Sequence, residues 1–130
     1  MQANLLNGLS LAYIGDAVYE LIIRKHFINL GITKVKDLHQ YVIRYTSGKA
    51  QAKFIHYFLE NCILTEDEMG IFKRGRNSHV HTSRKNINIQ EYLDATGFEA
   101  LFGYLYLNNQ LERMDFLIDI IFGIEKGVPL

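Results

Sequence analysis

From Leu5 to Phe122, apolar side chains return at steps of three and four residues, and no stretch alternates long enough to build a convincing strand. That period places them on helix faces, so the chain is constrained to an all-α bundle of about six or seven helices. Leu5, Leu9, Tyr13 and Ala17 share one face of the first helix with Leu6, and the pattern continues through Val18, Leu21 and Ile22. Gly31 is a stop signal and Thr33 a cap for the next helix, where Val35, Leu38, Val42 and Tyr45 recur until Thr46, Ser47 and Gly48 interrupt. A third helix carries Ala50, Phe54, Tyr57, Phe58 and Leu64. Thr65 opens TEDE, a capping box with Glu68, ahead of a short helix bearing Met69 and Phe72. Helical spacing resumes from Ile89 to Leu107, breaks at Asn108 and Asn109, and returns from about Leu111 to Phe122, ending at Gly123.

The length of 130 residues predicts one domain over 1–130, and a content of 48% hydrophobic residues excludes a disordered chain. The single cysteine, Cys62, excludes an intrachain disulfide and a multi-cysteine zinc site; its apolar surroundings predict a buried residue. No secretory leader is evident, and no apolar run approaches the roughly 18 residues of a membrane span, so a soluble cytoplasmic protein with no membrane association is expected. Walker, G-x-S-x-G, H-E-x-x-H and dinucleotide fingerprints are absent from the sequence.

Two acids stand in apolar helical context: Asp16 in LAYIGDAVYE and Glu99 in ATGFEALFGYLYL. Glycines accompany both, Gly15 beside the first and Gly97 and Gly103 around the second, and small residues let helices approach closely. If the two helices cross there, both carboxylates face one pocket, where they would share a proton or hold a hard divalent cation. Spacing alone leaves a second reading open, in which each acid pairs with a basic side chain or a backbone N–H, or faces solvent. Glu20 lies one turn beyond Asp16, as a further ligand or orienter, or as a partner of Arg24. The aromatic residues Phe98, Phe102, Tyr104 and Tyr106 read as core.

Fourteen basic and fourteen acidic residues give zero net charge, which argues against a generally basic nucleic-acid binder. The distribution is uneven. KRGRNSHVHTSRKN, residues 73 to 86, holds five Lys/Arg, two His and no acid. With almost no apolar residues it reads as an exposed loop from about Gly75 to Asn88, the whole basic region spanning about 73–88, with phosphate-binding character and a glycine that lets main chain approach a ligand. A solvated loop without a ligand is the bland alternative. His79 and His81 form an H-x-H pair too weak to specify a metal.

LAYIGDAVYE resembles the signature helix of the ribonuclease III family, and ATGFEALFGYLYL resembles its second acidic helix. With LNGLSLAYIGDAVYE, GKAQA (48 to 52) and FKRGRN (72 to 77), the whole chain is similar to the short bacterial branch, the Mini-ribonucleases III, which has a catalytic domain and no double-stranded-RNA-binding domain. The resemblance implies a ribonuclease III-like fold and a Mg²⁺-dependent endoribonuclease, Mn²⁺ substituting, that hydrolyses double-stranded RNA to 5′-phosphate and 3′-hydroxyl ends. It implies maturation of the ends of 23S (large-subunit) ribosomal RNA precursor, by a homodimer, with a ribosomal protein on the substrate. Asp16 and Glu99 match the catalytic, metal-binding acids. Two further family acids fall on Ala12 and Thr96; Thr96, like Glu20, is then expected to support the metal shell indirectly, Thr96 through a metal-bound water. Asp94 lies two residues off register and is not a substitute. Lys73, Arg74, Arg76, Asn77, Arg84 and Lys85 are the expected RNA contacts, although SHVHTSRKN departs from the family pattern. The losses at Ala12 and Thr96 also motivate an alternative, a non-catalytic RNA-binding or ribosome-associated module with this fold; zero net charge and the many aromatics motivate a plain helical dimerisation domain.

Overall fold

A computed structural model describes residues 2–78 and 88–125. Among these residues there are six α-helices and no strand: α1 Gly8–Asn29, α2 Val35–Thr46, α3 Gly48–Glu60, α4 Glu66–Arg76, α5 Ile89–Leu107 and α6 Leu111–Ile124, preceded by a 3-10 turn, Ala3–Leu5. The expected all-α architecture is the observed one. None of these helices is long and apolar enough to cross a membrane.

Local chemistry sets the boundaries. The Asn7 side chain accepts from the Ser10 N–H, and Asn88 from Gln90 and Glu91. Ser47 ends α2 and caps α3 by accepting from the Ala50 N–H at 3.2 Å. The Thr65–Glu68 capping box forms in both directions. Gly31, Cys62 and Asn109 turn the chain through left-handed backbone after α1, α3 and α5. The α2 start differs from the expected cap: its N-cap is Lys34, without a side-chain bond, rather than Thr33.

The central element is α5, buried without interruption from Asp94 to Leu105 except at Glu99. It is enclosed by α1, α3 and α4. Tyr19 of α1 packs edge-on against Phe98 and tilted against Phe102, and its hydroxyl donates to the Tyr45 carbonyl at 2.8 Å, so the aromatic core carries no orphan donor there. At the far side, the Glu68 carboxylate receives two bonds from Arg113, both 2.8 Å, joining α4 to α6. Burial alone would raise the Glu68 pKa, but the bonds from Arg113 and Thr65 outweigh it and hold it below the usual carboxylate value.

Three expectations are corrected. The core-facing side of α1 is Leu11, Ala12, Gly15, Tyr19, Ile23 and Phe27, while Leu5 (75% exposed), Leu9, Tyr13 (84%) and Leu21 face outward. The helix is apolar on more than one face, and the face that meets α5 is the one that carries Gly15 along with Tyr19. Cys62 is exposed, because the chain has left α3 and turned. Tyr106 is exposed, whereas Tyr104, Phe98 and Phe102 are core.

Two glycine contacts set how close α1 and α5 lie. A Cβ on Gly15 would fall 1.7 Å from the Glu99 carbonyl oxygen, and one on Gly103 1.9 Å from the Leu11 carbonyl oxygen. Alanine at either position is expected to cost about 3 kcal/mol or more, since the added methyl meets backbone. Gly70→Ala, in α4 with open space around it, is expected to stabilise by about 0.5–1 kcal/mol. Urea unfolding of the three variants checks this contrast.

Candidate active site

The same crossing assembles the site. Because Gly15 admits the α5 backbone at Glu99, the neighbouring Asp16 brings its carboxyl group beside that of Glu99, near enough to raise the Glu99 pKa. Asp16 is exposed and Glu99 half-buried, so the pair is reachable from solvent. Burial, then the hydrogen bond and charge of Asp16, push Glu99 up to about 9; Gln51 pulls in the opposite direction, and the charge of Glu20 adds to the rise. The two acids thus stand together at the helix crossing, and among the described residues Glu99 has a carboxyl and an amide for neighbours rather than a basic group.

Gln51 is the site residue that sequence reasoning missed. It is only 3% exposed, on the core face of α3 with Phe54, Ile55 and Phe58, and its amide counters part of the rise in the Glu99 pKa. Its signal was visible: a glutamine inside an apolar stripe, between Ala50 and Ala52. Glu20 adopts the alternative pairing, accepting from Arg24 Nε at 3.1 Å and Nη2 at 2.9 Å, while its charge still reaches Glu99. The Thr96 hydroxyl donates back to the Tyr92 carbonyl at 2.9 Å, so its hydrogen is committed within α5.

The basic residues lie differently from expectation. Lys73, Arg74 and Arg76 belong to the last turn of α4, and Asn77 is its C-cap; the loop begins after them. Gly75 faces protein, its Cβ position 2.6 Å from Ala100 Cβ and 3.0 Å from Gly97 Cα, so it serves the α4–α5 contact and not a ligand. Arg74 Nη1 donates to the Asn4 and Leu6 carbonyls at 2.6 and 2.9 Å. Arg76 Nε donates to Asp94 Oδ1 at 2.7 Å, and its Nη2 reaches Gln90. The other Asp94 oxygen meets His56 Nε2 at 2.9 Å, which accounts for Asp94 standing outside the carboxyl pair. These bonds use only part of each guanidinium's five donors. Arg84, Lys85, His79 and His81 lie outside the described residues.

Among the described residues there is no group of three or more His, Cys, Asp or Glu placed to hold a metal. The Asp16–Glu99 pair nonetheless fits a hard divalent cation. It offers oxygen donors on the solvent side, Mg²⁺ needs only one or two carboxylates beside waters and phosphate oxygens, and a cation would favour the ionised form of Glu99 that burial and Asp16 together disfavour. The pH dependence has a definite sign. Folded Glu99 holds its proton up to about 9, whereas unfolded it releases it near 4.5, so its contribution to stability is full below 4.5 and is lost as pH rises toward 9. In EDTA, Tm is expected to fall more steeply across that window for the native chain than for Glu99→Gln; thermal denaturation as a function of pH measures the difference.

The Ribonuclease III domain family matches residues 9–110. A Mini-ribonuclease 3 of Streptococcus pneumoniae is 48% identical over 118 residues, covering 91% of this chain and 92% of the relative. One from Enterococcus faecalis is 49% identical over 114 residues, covering 88% and 86%. A crystal structure of a Fusobacterium nucleatum protein superposes with a TM-score of 0.82 at 31% identity, covering 93% of this chain and 95% of that one. A match over most of the chain, and relatives alike over nearly their whole length, leave one assignment: the chain belongs to the ribonuclease III family, among its Mini-ribonucleases III, and is an endoribonuclease of that type.

Proposed function

We propose that residues 1–130 form a single catalytic domain of a cytoplasmic, Mg²⁺-dependent endoribonuclease that hydrolyses double-stranded RNA to 5′-phosphate and 3′-hydroxyl ends. The observation that carries this reading is the Asp16–Glu99 carboxyl pair, half exposed at the α1–α5 crossing and, among the described residues, without a basic partner at Glu99. Asp16 and Glu99 would hold the ion. When bound, Mg²⁺ (or Mn²⁺) supplies Lewis acidity toward phosphate oxygens and lowers the pKa of water. The residues of the chain do the rest. Glu99, rooted in the most buried helix, presents its carboxylate from a closely packed backbone, and Asp16 reaches from the adjoining helix to the solvent side.

Double-stranded RNA is read largely through shape and backbone contacts, which suits the basic last turn of α4. Arg74 and Arg76 are each anchored through part of the guanidinium, with donor capacity left for a phosphate, and Lys73 and Asn77 are exposed beside them. Arg84 and Lys85 extend the same basic run. The outward stripe of Leu5, Leu9, Tyr13 and Leu21 supports a homodimer, in which two sites would address the two strands of a duplex. Resemblance to the Mini-ribonucleases III supports 23S ribosomal RNA precursor as the natural substrate, with a ribosomal protein on that substrate.

Asp16→Asn is expected to lower duplex cleavage by about 10³-fold, the worth of ~4 kcal/mol of transition-state stabilisation, while leaving RNA affinity in place. Cleavage of a long RNA duplex with and without Mg²⁺, beside binding measured in Ca²⁺, tests it; metal-independent cutting, or full activity of the variant, removes the reading. Lys73→Gln is expected to reduce the slope of log affinity against log salt by about one. Leu9→Glu is expected to shift the native dimer toward monomer in sedimentation equilibrium, and a native chain that sediments as a monomer at all concentrations would remove the homodimer.

A further inference from the structure

Asp94 is a buried acid with one partner more than its charge requires. It lies on α5 five residues before Glu99, about 7.5 Å along the helix axis, and it ties three helices together. Arg76 Nε of α4 donates to one of its oxygens at 2.7 Å, and that guanidinium alone balances the carboxylate. His56 Nε2 of α3 meets the other oxygen at 2.9 Å. The histidine side chain is 56% exposed, so packing does not account for it.

The bond to Asp94 decides what the rest of the imidazole can do. A carboxylate only accepts, so the hydrogen stands on Nε2. A neutral imidazole carries one N–H, which leaves Nδ1 an acceptor, and Nδ1 has no partner among the described residues. Arg76, on the same carboxylate, is the complement. Its Nε and Nη2 are engaged with Asp94 and Gln90, and Nη1 is left to donate. One buried acid thus holds an acceptor on α3 beside a donor on α4.

A phosphodiester only accepts, so it can use Arg76 and offers nothing to Nδ1. A ribose 2′-hydroxyl can donate. We propose that His56 is a specificity-determining contact for RNA: its Nδ1 accepts a hydrogen bond from a ribose 2′-hydroxyl while Arg76 donates to the phosphate backbone. Asp94 is the positioning residue that fixes the imidazole tautomer. The inference rests on reading the protein as one that binds duplex RNA. It adds what phosphate contacts lack, since RNA and DNA share phosphates and differ at the 2′-hydroxyl.

The test compares two duplexes of one sequence at about pH 8, where an imidazole is ordinarily neutral, in Ca²⁺ to withhold cleavage. One is RNA; in the other every ribose is 2′-fluoro, which keeps the A-form and cannot donate. Affinity for each is measured with the native chain, His56→Phe, His56→Lys and Asp94→Asn, and the Tm of each protein is recorded. The native chain is expected to prefer RNA. His56→Phe is expected to lower RNA affinity by roughly 3–10-fold, the worth of one net hydrogen bond, and to leave the fluoro duplex nearly untouched, so the preference shrinks by that factor. His56→Lys keeps a donor for Asp94 and a charge for phosphate but has no acceptor; its preference shrinks equally even where its overall affinity rises. Asp94→Asn can donate to Nε2 and so move the hydrogen to Nδ1, and the preference shrinks with His56 itself intact. A histidine serving structure alone would move Tm and leave the preference where it is. A native-sized preference in either folded His56 variant therefore overturns the proposal, as does a native chain that binds both duplexes alike; His56→Lys serves if His56→Phe does not fold. A native-sized preference in folded Asp94→Asn overturns the role of Asp94. A native chain that binds neither duplex removes the RNA reading itself, whereas one that prefers RNA while its His56 variants keep that preference loses only the role of His56.

Discussion

The separation between α1 and α5 is set by backbone meeting backbone, and most of the molecule follows from it. Gly15 faces the Glu99 carbonyl and Gly103 faces the Leu11 carbonyl, each at a distance no side chain could share. Two helices in this proximity lock each other's register, because a shift along either axis drives a side chain into a carbonyl. The aromatic core fits that register: Tyr19, one turn beyond Gly15, packs on Phe98 and Phe102, which flank Glu99. A second small-residue contact, Gly75 on Gly97, brings α4 against another side of α5. The central helix is thus gripped through its glycines, and the functional side chains emerge at the edges of those contacts.

Glu68, Asp94 and Glu99 are acids drawn into the packing of α4 and α5, and their partners differ. Glu68 has Arg113, bonded to both oxygens. Asp94 has Arg76 on one oxygen and His56 on the other. Glu99 has Asp16 and Gln51. The protein supplies its own guanidinium to the first two and a second carboxyl to the third. Glu68 is held below the ordinary carboxylate value and Glu99 is raised to about 9, although burial pushes both upward. The difference is the sign of the neighbour. The fold satisfies two buried acids internally and leaves a third facing another acid near solvent, the arrangement on which the proposed cation site rests.

The helices were legible in the sequence because a 3.6-residue period survives in it almost from end to end, and the capping box at Thr65 and stop at Gly31 are local signals that tertiary packing does not override. The inward face of α1 was not legible. Leu9, Tyr13 and Leu21 are larger and more apolar than Ala12 and Gly15, so a reading by hydrophobicity turns the helix the wrong way; close approach to α5 favours the small side. The carboxyl pair was legible as two acids with glycine companions, yet Gln51 was not, since a glutamine 48 residues from its partner in sequence announces itself only as an interruption of an apolar stripe. The end of α4 was misread for a related reason. Its last turn has little apolar content, and what keeps it helical is Gly75 on α5 together with the anchoring bonds of Arg74 and Arg76 to distant segments.

Those anchoring bonds also divide the work of the basic turn. With fourteen residues of each charge, the chain has no overall field to draw in a polyanion, so attraction must come from local groups. Arg76 is a poor source of it, because Asp94 already balances its charge. What Arg76 contributes is direction: a guanidinium clamped at Nε and Nη2 can offer its remaining donors to a phosphate with little further loss of rotamer freedom. Lys73 is the reverse case, an exposed ammonium on the same turn that supplies charge without orientation. Removing Arg76 would strip a buried carboxylate of its cation as well as the proposed RNA contact, so its loss should register in stability and affinity together, whereas loss of Lys73 should register chiefly in the salt dependence of binding.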